Sequence, residues 1–581
     1  MSASEKESFV EVSFNLLLND LTSFGNQVSD SEKASLKSLQ EVFFDGLSGI
    51  LPPSFYLNSL PPGSGKTQAI SSFVRVWKER GFQPSGGILI GLKTKDEIEG
   101  MVARLGLARE DFACLTRDDA VNAFGRVDLD NAPVLLTTQQ MLIRRTADRR
   151  FAVASDFYFE GRPRGLRIWD EAFSLAEAIS FNLYMMQKLP GALYLGFDTV
   201  ADDIAALARK MDAAEPGSAM LVPASLRSGL GQVLAAMQTG SIDLAGEDAA
   251  IVQALRAAAG RELVVRAVGG KQNRALVGST RPLPADFAPL VITDASARVR
   301  ATYGIMEKVQ KNVVRLPSSE TNYQNLHIHL WLQSCGKDVL RDTNQSRAIY
   351  RQVAKQMAEG EGPWLVVSSK ASRKVDVEAA VKDATGDRIP FNFVHWGRHH
   401  GINDYKHVKN MIVIGSFFYP DESYGAIGMA AAGVPVAEVP ALDTRAIREG
   451  EFKHNMLQAI LRGNARNSVN GVAGECNVYI VASPKNNAER LLAETFPGAQ
   501  ISKWGPDKEK VPAGHAGAVI AALKKLFLAG VEEVRKKQVY EAAGMDGNEF
   551  RRQLTKPTVQ SYMLSAQLVS EGQRIRRRSN S

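Results

Sequence analysis

The sequence has 581 residues, more than one hydrophobic core usually supports, so three or four domains are expected. It is 45% hydrophobic and 23% charged with a formal net charge of +7, and it lacks both a bilayer-spanning apolar run and a secretory leader pattern, which excludes a membrane protein. Its three cysteines lie far apart, which excludes a disulfide scaffold and a cysteine-based zinc site and favours a cytoplasmic location.

Residues 1–50 are predicted to be helical. Apolar residues recur there at helical spacing, first over Phe9–Leu18 and then over Leu36–Val42. We therefore expect an N-terminal helical segment before the first α/β domain.

Residues 55–78 combine an apolar strand from Phe55, a Pro/Gly turn and a helix over Gln68–Lys78, the pattern of a phosphate-binding loop. Glycines let backbone N–H groups point at phosphates, and the helix N-terminus adds a favourable dipole. Lys66 would bind the β- and γ-phosphates of ATP, and the Thr67 hydroxyl would bind Mg²⁺. The predicted nucleotide-binding residues are Pro62, Gly63, Ser64, Gly65, Lys66 and Thr67. Leu60 stands where the full pattern has glycine, so a glycine-rich surface turn is the alternative.

An acidic pair follows a second buried strand farther downstream. The apolar run Leu166–Trp169 ends at Asp170 and Glu171. Asp170 can hold Mg²⁺ through water, and Glu171 can orient and deprotonate the attacking water, as phosphoryl transfer requires. Such pairs are also common on solvated surfaces, but together with the upstream loop this one predicts ATP hydrolysis.

Short apolar runs alternate with helical patterns on both sides of residues 175–285, which predicts α/β domains with parallel sheets. The first domain, residues 51–315, contains an alanine-rich helical insertion over residues 175–285, and the second covers residues 316–485. The predicted strands of the first domain include Gly87–Leu92, Ala132–Leu136 and Pro289–Thr293. Those of the second are Trp364–Ser368, Phe391–Val394, Met411–Ile414 and Val478–Val481.

A pair of arginines stands late in the second domain. The predicted helix Gln458–Arg466 places Arg462 and Arg466 one turn apart on one face. An arginine supplied across a cleft can stabilise charge on the transferring phosphoryl group. This predicts a cleft that closes on ATP and opens after hydrolysis, with a basic surface helix as the alternative.

Residues 486–581 are predicted to form a basic helical region. Over residues 521–581, twelve Lys and Arg oppose six Asp and Glu, a net +6 out of the chain's +7, which indicates a polyanionic partner. Residues 536–552 resemble a helix-turn-helix with its turn at Gly544–Gly547, whose second helix would present Arg551 and Arg552 to a duplex. A helical hairpin without nucleic-acid contact and a solvated basic tail are the alternatives.

The order of short motifs over residues 55–470 resembles superfamily 2 helicases and translocases, including DEAD- and DEAH-like proteins and helicase-like proteins of phages and plasmids. Motifs I, II, III and VI resemble Pro62–Thr67, Asp170–Phe173, Thr293–Ala297 and Gln458–Arg466. The strand-contacting motifs resemble Leu92–Thr94, Leu136–Met141, Val366–Lys370 and Gly401–Lys406. The resemblance implies two RecA-like P-loop domains around one ATP, with a helical insertion and a helical C-terminal domain.

The resemblance also implies roles for single residues. Gln458 joins Lys66, Asp170 and Glu171 as catalytic, and either Arg462 or Arg466 is the arginine finger. Asp294 and Ser296 would couple hydrolysis to movement. The residues implied to hold the nucleic-acid backbone are Lys93, Thr94, Thr137, Thr138, Ser369 and Asn403.

The sequence thus predicts ATP hydrolysis coupled to movement on, or unwinding of, nucleic acid, with ATP and Mg²⁺ as ligands and DNA preferred to RNA. One alternative is an ATP-operated clamp or switch that holds nucleic acid without unwinding it. Another is a DNA-binding regulator with a structural ATPase core. The insertion and the C-terminal region are candidate surfaces for a protein partner, and no membrane contact is expected.

Overall fold

The N-terminal segment is a helical hairpin that packs on the first α/β domain. The structure, a computed structural model, describes residues 3–577 except 148, 195, 245, 269–272, 281, 373–374, 398–403, 507–513 and 529–530. The hairpin consists of α1 (Ala3–Ser23) and α2 (Asp30–Leu47). A capping box starts α2, because the Ser29 side chain accepts a hydrogen bond from the Glu32 backbone N–H and the Glu32 carboxylate accepts one from that of Ser29. Phe9 and Phe43 contact Phe73 of the first domain, so the hairpin shares that domain's core.

The first half of the first α/β domain runs from the phosphate loop to the acidic pair. Its strands are β1 (Phe55–Asn58), β2 (Ile88–Leu92), β3 (Phe112–Leu115), β4 (Val134–Thr138), β5 (Tyr158–Phe159), β6 (Arg162–Pro163) and β7 (Leu166–Asp170). Its helices are α3 (Lys66–Glu79), α4 (Lys95–Leu105), α5 (Asp119–Asn122) and α6 (Gln139–Thr146). The long strands are buried on both faces, as continuous apolar runs predict for a parallel sheet.

The inserted region contains the predicted helices and, in addition, a sheet that the sequence did not predict. Its strands are β8 (Ala178–Asn182), β9 (Ala219–Leu221), β10 (Glu262–Ala267) and β11 (Arg274–Ser279). Its helices are α7 (Leu183–Leu193), α8 (Asp198–Ala213), α9 (Leu226–Gln238) and α10 (Glu247–Ala258). The strands pair antiparallel in the order β8–β11–β10–β9. Alanine-rich helices dominate the composition of the insertion. The strands are short and lack a long alternation of apolar and polar residues, so the sequence does not reveal them.

The chain then returns to the first sheet with β12 (Leu290–Thr293), α11 (Ala301–Gln310) and β13 (Val313–Arg315). The completed sheet has the order β13–β1–β12–β7–β2–β4–β3, and its neighbouring strands are parallel. The register sets Asn58 beside Thr293 and Thr293 beside Asp170. The phosphate loop and the acidic pair therefore meet at the carboxyl edge of this sheet.

The second α/β domain is built in the same way. Its strands are β14 (Leu326–Leu332), β15 (Trp364–Ser368), β16 (Phe391–His395), β17 (Asn410–Ile414), β18 (Ser468–Val469), β19 (Val472–Ala473), β20 (Cys476–Ala482) and β21 (Gln500–Lys503). Its helices are α12 (Lys337–Arg341), α13 (Thr343–Glu359), α14 (Val377–Thr385), α15 (Asp421–Ala432), α16 (Thr444–Ile460) and α17 (Ala488–Thr495). The parallel sheet has the order β16–β15–β17–β20–β14–β21.

Two parallel α/β sheets confirm the predicted fold class, but the second domain extends past the predicted boundary at residue 485. Strand β21 pairs with β14 and so belongs to the second sheet. This edge strand is short and mostly exposed, so it leaves no apolar run in the sequence. The insertion also touches this domain, because Val277 and Ala275 pack against Ala426 and Met429 of α15.

Residues 505–577 form a separate compact unit. It contains α18 (His515–Leu528), β22 (Glu533–Arg535), α19 (Lys536–Ala542), α20 (Gly547–Leu554), α21 (Pro557–Ser565), β23 (Leu568–Glu571) and β24 (Arg574–Arg577). The strands form an antiparallel sheet in the order β22–β24–β23, which the sequence did not predict beside the helices. The unit thus combines helices with a small antiparallel sheet. Among the described residues, no helix combines the length and apolar character needed to cross a bilayer.

Candidate nucleotide-binding and hydrolysis site

The phosphate loop joins β1 to α3 through glycines that no other residue could replace without strain. Gly63 and Gly65 have φ of 89° and 90°, in the left-handed region that side chains disfavour. A Cβ on Gly63 would lie 2.6 Å from the backbone oxygen of Arg466, and one on Gly65 would lie 2.9 Å from Leu21. The loop is thus enclosed by the second domain on one side and by α1 on the other.

Lys66 lies at the start of α3 with its ammonium turned into the loop. The Nζ group donates to the carbonyls of Leu60 and Pro61 at 2.6 Å and 2.9 Å. Burial lowers the pKa of Lys66 to about 8, against the opposing effects of Asp170 and Glu171. Leu60 is fully buried in the core and still offers its carbonyl, so the loop forms without the glycine expected there.

Asp170 ends β7 and is held by hydroxyl groups. The Thr293 hydroxyl donates to Asp170 Oδ1 at 2.6 Å, and the Thr67 hydroxyl lies 3.4 Å from Oδ2. Gln139, which the sequence did not single out, donates to the backbone carbonyl of Asp170 at 2.6 Å. Burial raises the pKa of Asp170, although Thr293 and Lys66 oppose the effect.

The donor set at this position fits Mg²⁺. Thr67 and Asp170 supply the hard oxygen atoms that this ion prefers, and Mg²⁺ usually completes its octahedron with water and phosphate oxygens. Within the described residues, no group of three His, Cys, Asp or Glu side chains could form an all-protein metal site.

Glu171 follows Asp170 with an unusual backbone. Its φ is 79°, a conformation that non-glycine residues seldom adopt and that clusters at functional sites. Its backbone N–H donates to the Thr293 carbonyl at 3.2 Å. Burial and the neighbouring Asp170 raise the pKa of the Glu171 carboxyl, while Arg462 of the second domain lowers it. A buried carboxylate with a raised pKa is suited to accept a proton.

The arginines reach the site from the second domain, but not from one helix. Helix α16 ends at Ile460, Arg462 follows its cap, and Arg466 lies in a short 3₁₀ turn. The prediction of one continuous helix over Gln458–Arg466 is therefore wrong. Gly463 is extended and the Asn464 N–H donates to the Val408 carbonyl at 2.8 Å, which draws the chain away from the helix axis.

Both arginines nevertheless face the phosphate loop. An Arg462 Nη donates to Gln458 Oε1 at 3.2 Å, and Gln458 and Arg462 are each 4% exposed. Burial, with a smaller effect from Arg462, lowers the pKa of Arg466 to about 10. Two close guanidinium groups in a shielded site favour an anion between the domains.

A cavity of about 580 Å³ contains these groups. The predicted residues along its wall are Pro62, Gly63, Gly65, Lys66, Thr67, Asp170, Glu171, Gln458, Arg462 and Arg466. Ser64 is directed elsewhere, with its hydroxyl donating to Glu32 of α2 at 3.3 Å. The wall also includes residues that the sequence did not single out, namely Leu21, Phe24, Asn26, Arg104, Lys406 and Asn467. Lys406 ends the stretch Gly401–Lys406 that resembles a strand-contacting motif, whereas the others stand in no recognisable motif and reach the cavity through the packing of the surrounding elements.

The predicted coupling residues form a buried turn after β12. Asp294 Oδ1 accepts hydrogen bonds from the backbone and the hydroxyl of Ser296 at 2.8 Å and 2.6 Å. Asp294 Oδ2 accepts from the Tyr303 hydroxyl at 2.7 Å, and that hydroxyl in turn accepts from the Phe173 N–H. The turn thus links β12 to the segment directly after Glu171.

The predicted nucleic-acid contacts separate into several groups. Thr137 is fully buried, and its hydroxyl donates to the Leu115 carbonyl at 2.7 Å, so the prediction for this residue is wrong. Thr94 and Thr138 cap α4 and α6 with their hydroxyls, a local role that their sequence pattern also fits. The other candidates are Lys93 at the end of β2, Ser369 directly after β15, and Asn403, which lies outside the described residues.

No protein-family model matches the sequence, and no curated protein matches it. Solved structures match over most of its length. An apo XPD structure shares 15% identity and covers 80% of this chain and 100% of its own, with a TM-score of 0.46. Xpd4 of S. tokodaii shares 13% identity over 80% and 99%, with a TM-score of 0.44. Dbp5 of S. cerevisiae, bound to RNA and ADP BeF3, shares 11% identity over 82% and 94%, with a TM-score of 0.34.

The features that define the fold lie in the molecule itself. It has two parallel α/β sheets, a phosphate loop after β1 and an acidic pair after β7. Arginines of the second domain face that loop across one cavity. By these features the chain has a fold of two RecA-like α/β domains around one cavity.

Proposed function

We propose that this protein hydrolyses ATP in the cleft between its two α/β domains and converts hydrolysis into movement along nucleic acid, with DNA preferred to RNA. One observation carries the proposal. A single cavity brings Lys66 and the acidic pair of the first domain together with Arg462 and Arg466 of the second. Hydrolysis at such a site would change the contact between the domains, which is what a motor requires.

The side chains divide the chemistry among themselves. Lys66 would leave the Leu60 and Pro61 carbonyls to bind phosphate oxygens, and the N–H groups at the start of α3 would complete the cradle. Glu171 would accept the proton of the attacking water, and an arginine of the second domain would stabilise charge on the transferring group. Mg²⁺, held through Thr67 and Asp170, would neutralise charge on the β- and γ-phosphates when bound.

The test of the proposal is the ATPase rate measured in parallel without nucleic acid and with single-stranded DNA, duplex DNA or RNA. We expect hydrolysis that DNA stimulates more than RNA. A rate that no polymer changes would contradict a nucleic-acid motor. Absence of hydrolysis under all four conditions would contradict the ATPase itself.

Glu171→Gln is expected to separate binding from chemistry. The amide keeps the shape of the side chain but loses the base, so turnover should fall by roughly 10²-fold or more, the contribution of a positioned base. ATP should still bind, and the variant should hold nucleic acid in an ATP-trapped state. Turnover and ATP affinity measured side by side check this result. Unchanged turnover would make Glu171 an ordinary buried acid.

The remaining surface candidates for nucleic acid are Lys93, Thr94, Thr138 and Ser369. Each lies within two residues of the carboxyl end of a strand in a parallel sheet. Hydroxyl and ammonium groups there would bind phosphate oxygens, which positions a strand without reading its sequence. Movement of one domain relative to the other would shift one sheet edge past the other and so advance the bound nucleic-acid strand.

The C-terminal unit would bind duplex DNA separately from the motor. Helix α20 buries Phe550, Gln553 and Leu554 and leaves Arg551 and Arg552 exposed. The helix and the β23–β24 hairpin together resemble the recognition helix and wing of winged-helix DNA-binding units.

Replacing Arg551, Arg552 and Lys556 with alanine in the full chain should weaken duplex binding and leave basal ATPase intact. Three lost phosphate contacts would reduce the slope of log affinity against log salt by about 3. Arg341, Lys355 and Lys382 form exposed ion pairs on the second domain, and their triple alanine variant removes the same charge as a control. Equal slopes for the two variants would exclude a specific DNA-binding surface on α20.

An ATP-operated clamp is the first alternative, and a regulator with a structural ATPase core is the second. A clamp would hydrolyse ATP and retain DNA but fail in strand-displacement and translocation assays run together. A regulator would bind DNA with equal affinity whether or not Lys66 is present.

We propose a cytoplasmic location, which suits the free and buried thiols of this protein at Cys114, Cys335 and Cys476.

A further inference from the structure

A buried ion pair joins the two α/β domains beside the candidate site. Arg300 precedes α11 in the first domain, and Glu451 lies on α16 of the second. The Arg300 Nε and one Nη lie 2.8 Å and 2.7 Å from the same oxygen of Glu451. The two side chains are only 11% and 4% exposed, so this pair is shielded far more than a surface ion pair.

The backbones around the pair are in direct contact. A Cβ on Gly450 would lie 2.9 Å from the Ala301 nitrogen and 3.2 Å from the Val299 oxygen. Gly450 has a helical backbone, so glycine is needed at this position for the close approach of the two backbones and not for an unusual φ. Helix α16 therefore lies against the turn that carries Arg300 with no space for a side chain between them.

The turn that carries Arg300 is also tied to the acidic pair. Thr293, whose hydroxyl donates to Asp170, stands next to Asp294. Asp294 in turn fixes Ser296, and the Arg300 N–H donates to the Ser296 carbonyl at 3.1 Å. A change at Asp170 when nucleotide binds or leaves would thus act on the position of Arg300.

On the Glu451 side of the ion pair, α16 connects the pair to Arg462, which follows the end of the helix. Glu451 and Gln458 are seven residues apart, which places them two turns apart on the same face of α16. Gln458 accepts a hydrogen bond from Arg462. The orientation of α16 therefore decides whether Gln458 and Arg462 face the phosphate loop.

We propose that the Arg300–Glu451 pair is a positioning device that fixes α16, and with it the arginine finger, against the ATP site. The inference rests on the proposed ATPase. Because replacing a buried ion pair by apolar residues often costs no stability, stability alone does not account for the pair. Because the pair lies between Asp170 and Arg462, it would control whether the arginine finger can contact the bound nucleotide.

The decisive experiment combines Glu451→Gln with the arginine variant, Arg462→Ala or Arg466→Ala, that lowers turnover more. Alone, Glu451→Gln should lower turnover by roughly 10-fold, within the range of couplings carried between sites. ATP affinity, measured with a fluorescent nucleotide, should stay the same. In the arginine-deficient background, Glu451→Gln should cause no further loss, because the group that it positions is absent.

Glu449→Gln is the matched control, since Glu449 lies on the same helix and pairs with Arg490 at 2.8 Å on the outer surface. It should leave turnover unchanged. Arg300→Lys keeps the positive charge but loses the two guanidinium N–H groups that both contact Glu451. Because the charge remains, this variant should lower turnover less than Glu451→Gln. It serves as the second variant if Glu451→Gln fails to fold.

Losses that multiply in the double variant, or turnover equal to that of the wild type in Glu451→Gln, would overturn the inference and leave the proposed ATPase standing. A change in ATP affinity as large as the change in turnover would also overturn it, because the pair would then shape the binding site rather than position the finger. Absence of ATPase activity in the wild type would overturn both proposals.

Discussion

Lys66→Ala is expected to abolish ATP hydrolysis and to weaken ATP binding. The Lys66 ammonium lies in the phosphate loop, where it donates to the carbonyls of Leu60 and Pro61. A charge-assisted hydrogen bond contributes about 1.5–3 kcal/mol, so its loss alone should raise the Kd for ATP by roughly 10-fold or more. Turnover should fall below detection, because Arg462 and Arg466 act from the other domain and cannot replace it. Steady-state hydrolysis and equilibrium nucleotide binding check the two effects.

Lys78→Ala is the matched control for this substitution. Lys78 lies at the far end of the same helix and pairs with Asp111 at 2.7 Å. Its loss removes an equal charge from α3 without touching the cavity, so hydrolysis should be unchanged. Measurable turnover in Lys66→Ala, with the fold intact by circular dichroism, would remove the phosphate loop from the proposed mechanism.

Arg462→Ala and Arg466→Ala are expected to divide into a severe and a mild variant. The true finger should lose about 10³-fold or more in turnover, the contribution of an arginine that stabilises the phosphoryl-transfer transition state. ATP affinity should remain near that of the wild type in both, because the loop and Lys66 bind the ground state. Arg462 is the more buried and has the stronger influence on Glu171, so we expect it to be the finger.

Arg445→Ala controls for charge on the same side of the cleft. Arg445 lies near the start of α16 and pairs with Glu449 at 3.1 Å on the surface. Its loss should leave turnover unchanged. Equal and negligible effects of Arg462→Ala and Arg466→Ala would mean that the second domain does not complete the active site, and the cleft would then have no part in hydrolysis.

The elements that depend on neighbouring residues in the sequence lie where the sequence predicts them. The phosphate loop precedes α3, Asp170 ends a buried strand, and the run Trp364–Ser368 is a strand with these bounds. Parallel strands buried on both faces appear as continuous apolar runs. Glycines before a helix and acids after a strand leave equally local patterns.

The errors also have local causes. The strands of the insertion stand among alanine-rich helices, and β21 is a short polar edge, so neither contrasts with its surroundings. Thr137 has the residue type of a phosphate contact, but β4 is buried on both faces and the Thr137 hydroxyl donates to the Leu115 carbonyl. The arginines were placed on one helix because nothing in the sequence showed that Val408 would bind Asn464.

The sequence by itself determined the phosphate loop, the acidic pair and the existence of two α/β domains, because each rests on a periodicity or spacing within a few residues. Only the tertiary structure decided which side chains meet. Phe24 and Asn26 reach the cavity through the packing of α1, and Arg300 finds Glu451 across 151 residues of sequence. Such contacts depend on how whole sheets and helices pack. No local pattern encodes that geometry, so neither the contribution of the N-terminal hairpin to the cavity wall nor the ion pair that joins the domains could be predicted.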